Sequence, residues 1–215
     1  LLFFLKKTHN VVRIVFEIFD AAHKYQVEEL QHVCSRYLRD CINFENVFVL
    51  FSQSKMYNNA ELEQKCLEFI EVNCTELLKT TKKTILELSY EDLLTIVKSD
   101  HLEVNEMEVF DTCLAWATNQ CEKKQLDATV ENKRKVLKEI FYNIRFTSMD
   151  KEQFSLQVVP TQILTMEESL MIFRYWCTLG KVELSKFNKV SRETRKVGKI
   201  FLHYWLVNTI HRNPF

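Results

Sequence analysis

Glycine stands at only two of the 215 positions, Gly180 and Gly198, and proline at two, Pro160 and Pro214. Ordinary usage would supply about 15 glycines and about 11 prolines in a chain this long. Tight hairpins and phosphate-cradling loops need residues that tolerate φ > 0, so β-sandwiches, barrels and Gly-rich nucleotide loops lack their punctuation. Helices remain. With 47% hydrophobic residues, 27% charged residues and 16 Phe, the chain can bury a sizeable core and does not have the composition of a disordered one.

The apolar residues repeat at helical steps. Val12, Val15, Phe16, Phe19 and Ala22 line one face of a helix over 11–25, and Leu30, Cys34 and Tyr37/Leu38 line a second over 27–38. Asn43 can cap a third helix holding Val47, Leu50, Phe51 and Ser54. Asn58-Asn59 then breaks the chain before Leu62, Cys66, Phe69/Ile70 and Cys74 open a fourth. Ser89 with Asp92 and Asn105 with Glu108 are small capping residues with an acid three places on, and each marks a helix start. The second of these helices, 106–123, carries Met107, Phe110, Cys113/Leu114, Ala117 and Cys121 on one stripe. Thr129 caps a helix expected to run unbroken over 130–143, and Thr165 with Glu168 caps the last clear one, through Trp176. The expected fold is all-α, a stack of antiparallel helix pairs with no sheet of three or more strands.

Net charge is zero, but unevenly spread. From Lys181 to Phe215 eight Lys/Arg face only Glu183 and Glu193, a net +6 that leaves residues 1–180 at −6. A neutral chain lacks the footprint of a nucleic-acid binder, and no nucleic-acid partner is expected. The longest purely apolar runs are five residues, far short of the ~20 that a membrane span needs, so no transmembrane segment is expected. Seven cysteines, an odd number without a C-x-x-C pair or signal peptide, suit a reducing compartment, cytosolic or nuclear. Cys34/Cys41, Cys66/Cys74 and Cys113/Cys121 lie two helical turns apart, about 10 Å, which suits apolar filling of a core rather than shared metal ligation. No zinc spacing, no G-x-S-x-G elbow, no H-E-x-x-H and no Walker sequence occurs, and His23, His32 and His101 are isolated. No catalytic, cofactor or metal site is expected, and Glu131-Asn132-Lys133-Arg134-Lys135 reads as a solvated helix face before it reads as a nuclear signal.

DAAHKYQVEELQHVCSRYLRD (20–40) resembles the last two helices of a BTB/POZ domain, where an A-A-x-K-Y-x-V-x-x-L pattern is typical. NVFVLFSQSKMYNNAELEQKCLEFIEVN (46–73) resembles the start of a BACK domain, and ENKRKVLKEIFYNIRFTSM (131–149) and ILTMEES (163–169) resemble its later helices. The likeness spans about residues 12–186 and is nearest to the BTB-BACK group that ends in a PHR β-sandwich. It implies a BTB remnant over 1–40, a BACK domain over 41–180, and a linker with a basic tail over 181–215 without a PHR domain. The chain begins with Leu rather than Met and is expected to be a fragment.

The resemblance implies a non-enzymatic substrate adaptor of a cullin-3 ubiquitin ligase, with cullin-3 binding weak or absent in this chain and no basis for a dimer without the BTB core. A helical scaffold of transcriptional or cytoskeletal BTB/BACK type, without a ligase role, stays open. The first BACK hairpin assists cullin binding in relatives, which implies a groove here. Phe44, Phe48 and Phe51, at four- and three-residue steps, are its candidates with Met56 and Tyr57. The same residues can equally be core. Beyond about Lys189 the expectation is lower order and no essential role in the helical fold: Ser191 can cap a basic amphipathic helix carrying Arg192, whose apolar stripe packs loosely on the BACK helices or else meets an anionic membrane or a partner's groove.

Overall fold

Two three-residue connections set the N-terminal architecture. In the computed structural model, which describes residues 9–184 and 186–192, α1 (His9–Lys24) turns at Tyr25–Val27 into α2 (Glu28–Asp40). α3 (Val47–Met56) turns at Tyr57–Asn59 into α4 (Ala60–Thr80). Links this short fold each pair back on itself. α3 starts later than Asn43: that side chain accepts from the Glu45 and Asn46 N–H groups, a local turn that leads into the helix.

α4 is the spine, packed against α2, α3, α6 and α7. It bends at Asn73, whose φ of −108° and ψ of 15° are not helical. The bend frees the Glu71 carbonyl to accept from the Glu103 N–H at 2.8 Å, which stitches the chain after α6 to the spine. α5 (Lys82–Leu86) leads to α6 (Tyr90–Lys98), and α7 (Glu106–Lys123) runs beside α8 (Val130–Leu137). Ser89, Asn105 and Thr129 accept N–H groups of the first turns of α6, α7 and α8 as their spacing foretold.

The helix expected over 130–143 is broken. Lys138 adopts φ 46° and ψ −119°, and α9 (Glu139–Asn143) starts afresh with the Glu139 N–H donating to the Tyr90 hydroxyl. The break lets Ile140 and Phe141 turn into the core, where both are buried. α10 (Lys151–Gln153) continues through a wide turn at Phe154–Val158, and α11 (Met166–Cys177) opens on a full capping box of Thr165 and Glu168. Among the described residues every regular element is helical. Gly180, at φ 81°, closes α11. The left-handed positions after α1, α3 and α7 are filled by Gln26, Asn58 and Gln125, so a chain this poor in glycine ends its helices on side chains that resist that backbone.

Six of the seven cysteines are buried among these helices, and Cys177 alone is exposed. Burial pushes the Cys66 and Cys74 thiols up to about 12 and raises Cys113 as well, which keeps them protonated and apolar in character. Trp116, buried, and Trp176, half-buried, donate Nε1–H to the Leu88 and Thr147 carbonyls.

Candidate functional site

The five candidate groove residues do not share one surface. Phe48 and Phe51 are sealed in the core, and Lys55 lies over the Phe51 ring, 4.5 Å from its centre. Phe44, 37% exposed, sits edge-on to Phe69 of α4 at 5.3 Å. Met56 is 65% exposed at the far end of α3. Tyr57 turns the other way, stacked on Phe16 at 5.3 Å and edge-on to Phe19 at 6.5 Å, and so ties α1 to the α3–α4 turn. Asn59, buried in that turn, donates to the Ser35 hydroxyl and accepts from the Leu62 N–H. The accessible candidates are therefore Phe44, Met56 and part of Tyr57, at separate places, while Phe48 and Phe51 belong to the core.

A polar clasp holds α3 on α6. Asp92, buried, accepts from the Ser52 hydroxyl at 2.7 Å and pairs with Lys55 at 3.2 Å, and Lys55 donates to Thr95. α1 and α2 leave a second surface open, where Ile14, Ile18, Leu30 and Val33 are exposed. The charged run on α8 is not wholly solvated as expected. Arg134 is held by a two-pronged pair with Glu168, by the Ile163 carbonyl, and by the Phe141 ring 4.4 Å below it. Burial works against the Glu168 charge, but the hydrogen bonds from Arg134 and Thr165 outweigh it and hold the carboxyl below its ordinary range.

Sequence reasoning missed the corner between α6 and α7. Glu106, in the first turn of α7, is buried and accepts from the Arg145 backbone N–H at 3.1 Å and from Arg192. Arg192 also donates to the Val97 carbonyl at 3.1 Å and to the Ser99 carbonyl, both at the end of α6. Arg145, with no exposed surface at all, donates to the Ser99 carbonyl and pairs with Asp100. Burial, with the like charge of Arg192 second, draws its guanidinium below the usual arginine value against the pull of Asp100 and Glu106. A polar cavity of about 270 Å³ opens beside Arg192, walled by Glu103, Asn105, Glu106, Ser148 and Asp150 among others. The helix expected after Ser191 falls on residues 193–215, which lie outside the described residues; Ser191 and Arg192 themselves carry no regular structure.

A stack of capped helix pairs with an internal polar corner presents surfaces for protein contact, and among the described residues no group of His, Cys, Asp and Glu is placed to hold a metal ion. No helix among them is long and apolar enough to cross a membrane. The family model of the BACK domain, "BTB And C-terminal Kelch", matches residues 47–159, from the first residue of α3 to the turn after α10. The chain belongs to the BACK family. BTB/POZ domain-containing protein 3 of Homo sapiens is 31% identical over 172 residues, 80% of this chain and 33% of the relative. BTB/POZ domain-containing protein 6 of Mus musculus is 34% identical over 173 residues, 80% of this chain and 32% of the relative. The chain thus spans about a third of the length of the curated relatives it matches. As a BACK chain it is a protein-interaction module of the adaptor or scaffold type.

Proposed function

We propose that this BACK chain is the helical middle of a non-enzymatic substrate adaptor for a cullin-3 ubiquitin ligase. In this reading α1 and α2 are the last hairpin of a BTB/POZ domain, fastened to the BACK helices by Tyr57 on Phe16 and Phe19. The observation that carries it is the continuity of the likeness: 80% of the chain matches proteins named for a BTB/POZ domain, more than the BACK helices alone occupy. Phe44 and Met56, exposed towards opposite ends of α3, are the candidate residues left accessible to an extended apolar segment of the cullin amino terminus. Buried, protonated thiols suit work in a reducing compartment such as the cytoplasm.

Co-elution with the cullin-3 amino-terminal domain tests the proposal. The longer parent carrying a complete BTB domain is expected to co-elute. This chain alone is expected to bind weakly or not at all, because Phe44 and Met56 expose well under the ~1,000 Å² that a specific interface needs. A parent that fails to bind would overturn the ligase reading. Micromolar binding by this chain, lost on Met56→Ala with Phe44→Ala, would show that these residues are the main contact.

A further inference from the structure

After α11 the described residues, 178–184 and 186–192, form no helix or strand, yet they are anchored at several points. Leu184 and Phe187 are buried, and the Phe187 ring meets Phe141, Tyr142 and Phe146 at 5.9, 5.5 and 5.6 Å. The Asn188 N–H donates to the Tyr142 carbonyl at 2.9 Å. Four residues on, Arg192 enters the α6–α7 corner, its side chain 6% exposed, and meets Glu106, 5% exposed. The end of α6 supplies two carbonyls, Val97 and Ser99, to the same guanidinium. The negative end of a helix and a buried carboxylate together form a site for a planar cation, and the chain fills it from within.

We propose that Leu184 and residues 186–192 form a strap that Arg192 locks onto the α6–α7 corner. The lock is two-sided. With Arg192 withdrawn, Glu106 would keep the Arg145 N–H and the longer-range pull of the Arg145 guanidinium but lose its direct ion pair, leaving a buried carboxylate only partly compensated. Glu106 therefore holds the strap as firmly as the strap neutralises Glu106. The neighbouring 270 Å³ cavity is lined by Ser191 and Arg192 but not by Phe187, so the Arg192 end of the strap is where opening would begin. The inference extends the scaffold reading by closing one end of the scaffold with a locked segment, and it stands or falls separately from cullin binding.

Limited proteolysis with a lysine-specific endoproteinase reads the lock, because Lys186 and Lys189 are exposed on the strap and no arginine change alters the cleavage sites. Cleavage there requires the strap to open. Arg192→Gln and, independently, Glu106→Gln are expected to speed cutting after Lys189 by roughly tenfold or more, with cutting inside α7 unchanged and helical circular dichroism retained. Global unfolding of Arg192→Gln would also support the lock, since a detached residue cannot unfold the body. Cutting within twofold of the unaltered chain in both folded variants would overturn the proposal.

Discussion

The α1–α2 hairpin and the Phe146 end of the molecule are built from similar amphipathic helices but finish their surfaces differently. α1 and α2 turn Phe16, Phe19 and Leu38 inward and leave Ile14, Ile18, Leu30 and Val33 facing out, with Tyr57 as the main aromatic tie to the body. At the other end Phe146 is fully buried within contact of Phe110, Phe141, Phe154 and Phe187, and a strap from a later part of the chain closes over it. An apolar stripe forms a helix in both places. Whether the outer face is closed depends on chain far away in sequence, and the open hairpin is the side where a BTB core would sit in the proposed parent.

Phe146→Ala is the sharpest way to break the closed end. It removes a hub of four ring contacts and is expected to cost about 3–5 kcal/mol, lowering the unfolding midpoint by about 10 °C or more in calorimetry. Tyr57→Ala strikes the open end and is expected to cost about 2–3 kcal/mol, with thiol labelling of Cys34 and Cys41 rising well before that of Cys113 under mild urea. Simultaneous labelling of all three would deny the two ends their separate behaviour.

A smaller effect distinguishes the α8–α11 clasp. The folded Glu168 carboxyl has its pKa depressed, so the Arg134 pair contributes fully above the ordinary carboxylate range and is lost as pH falls through the folded value. Stability measured by urea unfolding should decline below about pH 4, and Glu168→Gln should remove about 1–2 kcal/mol at neutral pH while flattening that decline. The smallest change should be a gain. Gln125→Gly relieves a left-handed backbone at φ 55° and is expected to raise stability by about 0.5–1 kcal/mol in the same assay.

Helices and caps were legible because Ser89, Asn105, Thr129 and Thr165 signal through near neighbours, within three residues. The break at Lys138 was not, because the contacts made there, the Glu139 N–H and the Lys138 ammonium on Tyr90, join residues 48 and more positions apart, and no glycine marked the turn. The aromatic stripe at Phe44, Phe48 and Phe51 has the spacing of a groove, yet spacing cannot say which face of α3 the spine covers; α4 and α6 decide that. Arg192 looked like one more charge in a basic tail, since its partner Glu106 lies 86 residues away and reads alone as a first-turn acid on α7. Charges that meet only through tertiary packing leave no periodic signal.

Native-state hydrogen exchange across the unaltered chain tests most directly whether the molecule is sealed at one end and open at the other. The Asn188 amide is expected to exchange in the same slow class as the amides of α7 and α9, while those of α1 and α2 exchange at least tenfold faster. An Asn188 amide that exchanges in the fast class, or an α1–α2 hairpin as slow as α7, would contradict it.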